Sequence, residues 1–284
     1  MKIEPGSVRR VISEYQDAKS FLYQGGIFLL PKSRQSMALV SMVEDLLGET
    51  FSHVDPRMSH RFFKKRDFFE AFGAVRRQIY CHKEFHEGIE QLLSAYGWNN
   101  PSTVFDPLRM RIVTPDGHRS AEAAPVYYGH RDTWYGNPQS MVTWWIALHD
   151  VEAGDTFEFY PRFFGKPVAN DSHAFNYADW IKDGPNLKIG WQDPDSGRSA
   201  LYPQLQESID EDEPRTRLLI RRGEVMLFSG QHLHKTLPNQ REKIRLSLDF
   251  RTANLLDEAK DQGALNVDNH SRGSSIKDYR HVLP

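Results

Sequence analysis

The chain has 284 residues, 39% hydrophobic and 12% aromatic, enough to bury a substantial core and to exclude wholesale disorder. With 36 Lys plus Arg against 38 Asp plus Glu the formal net charge is −2, so no nucleic-acid partner is expected. The single cysteine, Cys81, excludes an internal disulfide and any Cys-x-x-Cys motif and is expected to be a small buried side chain.

The N-terminal stretch MKIEPGSVRRVISEY lacks the apolar core of a signal peptide. No window approaches the ~18 uncharged apolar residues of a membrane span. A soluble protein of a reducing, cytoplasmic compartment is expected, with no membrane partner.

The first hundred residues read as helical. A short helix is expected around Val8 to Leu22. Gly25-Gly26 then breaks the pattern before the strand-like run Ile27 to Leu30. A helix from Ser36 to Leu47, capped by Ser36 and ended by Gly48, follows from the spacing of Met37, Leu39, Val40, Val43 and Leu46. One or two more helices are expected over Asp67 to Tyr96. The basic run His60 to Arg66 reads as a charged helix entry on the surface.

From about Val104 the period changes to two: Leu108, Met110 and Ile112 alternate with Arg109, Arg111 and Val113. Further strands are expected over Pro125 to Asp132, Ser140 to His149, Thr156 to Tyr160, Arg217 to Ile220, Glu224 to Ser229, His232 to Leu237 and Lys243 to Phe250. A Gly/Pro/Asp/Ser-rich insertion separates the two groups. Loops this long are often lids, and Tyr177, Trp180, Trp191 and Tyr202 within it argue against plain disorder.

Helices followed by seven or eight short strands predict a mainly β fold with α, a jelly-roll core with a flanking helical layer. The expected organisation is one domain, 1–284. A helical layer spans 1–103 and the jelly-roll core 104–251, interrupted by a lid-like insertion at 162–215. A polar tail covers 252–284.

Chemistry concentrates in two places. His130-Arg131-Asp132 places two potential ligands two residues apart, on one face if the segment is a strand. About a hundred residues later GQHLHKTLPN offers His232 or His234 as a third ligand. Two histidines and one carboxylate bind one face of a metal and leave its other positions open, as in non-haem Fe(II) oxygenases.

The context Gly223-Glu224-Val225-Met226-Leu227-Phe228, then His234-Lys235-Thr236-Leu237-Pro238-Asn239, then Arg245-Leu246-Ser247 eleven positions beyond His234 resembles the Fe(II)/2-oxoglutarate oxygenases of the phytanoyl-CoA dioxygenase-like family. The resemblance covers roughly residues 108 to 251. It implies a double-stranded β-helix, cupin-like, with iron on His130, Asp132 and His234. It implies 2-oxoglutarate held by Arg245 and Ser247 with Trp145 lining its pocket, and Arg111 (or Arg109, in phase with it) nearby.

The guanidinium of Arg245 suits this role because its planar fork matches a carboxylate. Trp144 is expected to point into the opposite layer. Trp134, Tyr135, Gln139 and His232 are candidate substrate contacts, and Arg162, Tyr177, Trp180 and Trp191 are candidates from the lid. The implied reaction uses Fe(II), 2-oxoglutarate and O2 to hydroxylate an unactivated C–H of a small organic molecule, with release of succinate and CO2. The residue at Asp132 disfavours halogenation, because the related halogenases keep a small residue there. A cupin-type metalloenzyme that does not use 2-oxoglutarate, or a non-catalytic ligand-binding barrel, are the competing readings.

Overall fold

The computed structural model describes residues 3–120, 123–183 and 202–282. Among the described residues, ten strands form two facing sheets. They are β1 (Val8–Arg9), β2 (Ile27–Leu30), β3 (Thr103–Phe105), β4 (Arg109–Val113), β5 (Val142–Ala147), β6 (Phe157–Phe159), β7 (Val225–Ser229), β8 (His234–Thr236), β9 (Arg245–Asn254) and β10 (Arg280–His281). The larger sheet runs β1-β2-β7-β5-β9-β3-β10, with β4 also on β9, and the smaller pairs β6 with β8. This mixed architecture, two sheets of a jelly roll with helices on one side, is the expected fold class.

The helices are α1 (Tyr15–Tyr23), α2 (Arg34–Phe51), α3 (Lys65–Cys81), α4 (Lys83–Ala95), α5 (Tyr177–Asp183) and α6 (Leu255–Ala259). Strand alternation explains how α1 to α4 and the site share one sheet. Trp144, Ile146, Leu227, Leu246, Leu248 and Phe250 point toward the helices and join Leu39, Val43, Val75, Ile79, Ile89 and Leu92 in one core. Trp144 stacks on Phe250 at 5.5 Å and donates Nε1–H to Thr252. The intervening residues face the smaller sheet, where Trp145, Met226 and Phe228 pack with Phe159. Register carries this across the strands: Arg111 and Ala147 both lie opposite Ser247, and Trp145 lies opposite Asp249.

Several local expectations change. Val8–Arg9 is a strand, parallel to β2, so the first helix starts only at Tyr15. Ser33 caps α2, not Ser36. The Ser33 side chain accepts from the Ser36 backbone while Ser36 Oγ accepts from the Ser33 backbone, a reciprocal capping box. Gly48 does not end that helix, which continues to Phe51; a Cβ there would meet open space, so only its modest helix propensity is lost.

The Pro125–Asp132 segment is not a strand but a 3-10 turn at Ala124–Tyr127, a single bridge from His130 to His234, and a second 3-10 turn at Asp132–Tyr135. Arg217–Ile220 contributes only an isolated bridge, Ile220 to Val151. Cys81 is exposed at the end of α3 rather than buried. The tail is not featureless: it forms α6, and β10 pairs with β3. Arg61–Glu242 and Arg66–Glu70 are surface ion pairs, as expected for the basic run. Among the described residues no helix is long and apolar enough to cross a membrane.

Candidate metal centre

His130 and His234 are brought together by the backbone itself. Each donates its N–H to the other's carbonyl, at 2.9 and 3.0 Å, in a two-residue antiparallel bridge that prolongs the smaller sheet. Asp132 then opens a 3-10 turn whose helical geometry swings its carboxylate back toward both rings. Ligating atoms of the three side chains lie within 4.8 Å of one another, a cluster found nowhere else among the described residues.

The hydrogen bonds assign the atoms. His130 Nδ1 lies 2.8 Å from the Tyr128 carbonyl and His234 Nδ1 lies 3.0 Å from the His232 carbonyl. A carbonyl only accepts, so both Nδ1 atoms carry the proton and both Nε2 lone pairs are free to ligate. Asp132 Oδ2 accepts a 2.6 Å bond from Thr143 Oγ1. Its Oδ1 faces the rings, 3.5 Å from His130 Nε2 and 4.0 Å from His234 Nε2.

Burial opposes ionisation of Asp132, but the polar surroundings supplied by His130 and His234 and the positive charge of Arg251 outweigh it and hold the carboxyl well below the usual range. Burial pushes His234 down to about 4, with His130 adding to the effect, so it is neutral and ready to bind metal at pH 7.

Beside this cluster, the inner face of β5 and β9 carries polar atoms with no partner. Trp145 Nε1, Arg245 Nε and Ser247 Oγ are buried and unpaired among the described residues. Three orphan donors on neighbouring strands are costly unless a ligand satisfies them. The Arg245 Nη1 anchors to the carbonyls of Asp155 at 2.7 Å and Thr156 at 3.3 Å, and its guanidinium lies 5.7 Å from the Phe157 ring centroid. Burial lowers Arg245 to about 10, so it stays cationic at neutral pH. This donor set fits the far carboxylate of a dicarboxylic acid.

The remaining candidates scatter. Arg111 lies in register with Ser247 but is engaged by Asp249, with Nε to Oδ1 at 2.5 Å and Nη2 to Oδ2 at 2.9 Å. Arg109 bonds Asp106 at 2.5 Å. Tyr135 stands beside the cluster, its ring 5.1 Å from that of His130 and its hydroxyl donating to the Pro203 carbonyl. Trp134 is fully buried, in a small core with Tyr160, Val168 and Leu233, and donates to Asp268. Gln139 faces elsewhere, lining a surface cavity of about 550 Å³ with Gln16, Tyr23, Asp257 and Gln262.

His232, two residues from His234, is not part of the three-residue cluster and packs against Phe159, Phe164 and Phe228. Burial lowers it to about 3, so it is a neutral packed ring. Of the insertion residues, Arg162 pairs with Glu213 on the surface, Tyr177 bonds Asp278, and Trp180 packs on Tyr177; Trp191 lies outside the described residues.

Sequence reasoning missed Thr143, Arg131 and Asp268. Thr143 had a signal, since it sits two before Trp145 on the same face of β5. Asp268 had none, lying in a segment without periodicity.

Two imidazole nitrogens and one carboxylate oxygen turned to a common point form a candidate metal site with the 2-His-1-carboxylate donor set that non-haem iron enzymes use. The chain belongs to the phytanoyl-CoA dioxygenase (PhyH) family, which it matches over residues 54–247. It is therefore an iron- and 2-oxoglutarate-dependent oxidoreductase with oxygenase-type activity. No curated protein matches the chain.

Solved structures similar to it include that of EvdO2 from Micromonospora carbonacea var. aurantiaca complexed with 2-oxoglutarate. That structure is 10% identical, with 87% of this chain and 94% of that chain covered and a TM-score of 0.47. Another is the epimerase SnoN in complex with Fe3+, alpha ketoglutarate and nogalamycin RO, 16% identical over 93% of this chain and 98% of that one, with a TM-score of 0.42. A third is the apo non-heme monooxygenase ThoJ, 13% identical over 85% and 82%, with a TM-score of 0.39.

Proposed function

We propose that the protein hydroxylates an unactivated C–H of a small organic molecule, converting 2-oxoglutarate and O2 to succinate and CO2 as it does so. The observation that carries this reading is the placement of three orphan donors, Trp145 Nε1, Arg245 Nε and Ser247 Oγ, on the barrel wall beside the His130–Asp132–His234 cluster. A metal that holds O2 and a keto acid together needs both features, and a metal site alone needs only the first.

In this reading His130 Nε2, Asp132 Oδ1 and His234 Nε2 hold Fe(II), which supplies the oxygen chemistry when bound. The chain's own contribution is orientation. Tyr128 and His232 carbonyls fix the imidazole tautomers, and Thr143 fixes the rotation of the Asp132 carboxylate. Arg245 and Ser247 grip the far carboxylate of 2-oxoglutarate, and Trp145 donates along its length. Arg111, braced by Asp249, presents a cation on the same wall. Phe157, Phe159 and Phe228 pack around His234 and keep water from that side of the site. Tyr135, whose ring lies 5.1 Å from that of His130, is the residue of the sequence-derived substrate set that we assign to substrate contact.

The test is anaerobic. Fe(II)-loaded protein should develop a visible charge-transfer band on addition of 2-oxoglutarate, and Asp132→Ala should not. Oxygen should then yield succinate, and ¹⁸O2 should label the product of any substrate that accelerates it. Absence of a 2-oxoglutarate-dependent band in the wild-type protein would overturn the assignment, and an unlabelled product of unchanged mass would overturn hydroxylation.

A further inference from the structure

Between the two ligands of the triplet sits a side chain that never reaches the metal. Arg131 is 0% exposed and makes four hydrogen bonds. Its Nε meets Asp268 Oδ2 at 3.0 Å, its Nη1 donates to the Gln231 carbonyl, and its Nη2 donates to the carbonyls of Phe163 at 3.0 Å and Lys166 at 2.7 Å. Asp268, with a side chain 2% exposed, is equally occupied. Oδ1 accepts from Trp134 Nε1 at 2.9 Å, and Oδ2 also accepts from the Val168 backbone at 3.0 Å, while its own carbonyl accepts from the Asn170 amide.

These contacts join four segments that chain connectivity leaves apart: the His130–Asp132 turn, the loop that leads into His234, the start of the insertion, and the C-terminal segment. A lone guanidinium at zero exposure is prohibitively costly, so the pair must form for the site to close. Burying an ion pair is, however, a poor way to gain stability, since apolar residues do as well. What the pair supplies that apolar packing would not is a planar fork whose four directions are fixed.

We infer that Arg131 and Asp268 are positioning residues for the metal centre. Arg131 sets the spacing of the two ligand-bearing segments through the Gln231 carbonyl, and Asp268 locks Arg131. The inference rests on the iron-site reading above. It extends the site to a C-terminal residue that contacts neither metal nor cosubstrate.

Fe(II) affinity of the full-length protein, measured anaerobically without 2-oxoglutarate and well below each variant's Tm, tests it. Asp268→Asn keeps shape and removes the charge; it should weaken Fe(II) binding about tenfold to a hundredfold, the usual cost of disturbing groups behind metal ligands. At saturating iron it should also shift the 2-oxoglutarate charge-transfer band. Lys19→Met breaks another largely buried ion pair, Lys19–Asp257 at 2.7 Å on α1 and α6, and is the control for stability loss alone. It should lower Tm and leave Fe(II) affinity within about threefold of wild type.

Wild-type iron affinity in folded Asp268→Asn, or an equal loss in Lys19→Met, would overturn the inference. Should Asp268→Asn fail to fold, Trp134→Phe removes one of the bonds to Asp268 and is judged in its place: affinity reduced threefold or more supports the inference, and wild-type affinity refutes it. Because iron binding is read without cosubstrate, a wild-type protein that binds Fe(II) but shows no 2-oxoglutarate band would refute the oxygenase reading and leave this measurement standing.

Discussion

Arg245 offers the sharpest quantitative test of the cosubstrate socket. Its Nη1 is committed to the carbonyls of Asp155 and Thr156, which leaves Nε, unpaired in the structure, and Nη2 to meet a carboxylate as a two-toothed fork. A hydrogen bond to a charged group contributes about 1.5–3 kcal/mol, so losing both should cost about 3–6 kcal/mol. At about 1.4 kcal/mol per decade, Arg245→Gln should raise the Kd of 2-oxoglutarate by roughly 10² to 10⁴.

Arg245→Lys keeps the charge and one donor and should fall between, at roughly tenfold to a hundredfold. The assay is an anaerobic titration of Fe(II)-loaded protein with 2-oxoglutarate, followed by its charge-transfer band or by calorimetry. Fe(II) affinity should stay unchanged, because Arg245 touches no ligand. If Arg245→Gln binds 2-oxoglutarate within threefold of wild type, or loses iron in proportion, the guanidinium does not hold the cosubstrate and the reasoning from orphan donors fails.

Thr143→Val removes the 2.6 Å bond to Asp132 Oδ2 and frees the carboxylate to rotate; Fe(II) Kd should rise about tenfold to a hundredfold while the far-UV circular dichroism is preserved. Trp144→Ala empties a fully buried site stacked on Phe250 and should destabilise the fold by about 3–5 kcal/mol in denaturant titration.

The metal-free protein should lose stability in acid. His149 and His232 are held neutral by burial, at about 4 and about 3, whereas in the unfolded chain each takes a proton near pH 6.5. The unfolded state therefore binds more protons below pH 6.5, so their stabilisation is complete above that pH and drains away as pH falls toward 4. Tm measured from pH 7.5 to 4.5 should decline, and a flat or rising profile would contradict the burial argument.

The features legible in the sequence were those written in short-range spacing. Strand alternation separated Trp144 from Trp145 and Leu246 from Arg245 and Ser247, because a period of two survives whatever the strand pairs with. The triplet was legible for a partly mistaken reason. His130 and Asp132 share a point not as strand neighbours but because a bridge residue is followed at once by a 3-10 turn.

Gln139 and Trp134 misled because closeness in sequence to a ligand says little about direction once the chain turns. Trp134 follows the turn inward to Asp268, and Gln139 emerges on the α1 side of the protein. Asp268 itself was out of reach, since a partner 137 positions away leaves no local pattern. The Ser33 cap shows the same limit at small scale. Apolar spacing set the start at Ser36, whereas the helix begins at Arg34 and Ser33 caps it, a choice made by backbone geometry.

The union of Arg131 with Asp268 also imposes an order on biosynthesis. A ribosome completes the His130 turn and the His234 loop well before it reaches Asp268. Until that aspartate is made, the arginine between the two ligands lacks the carboxylate that meets it in the fold, and burying it without that partner would be costly. Both ligand-bearing segments thus enter the growing polypeptide before the carboxylate that braces the arginine between them.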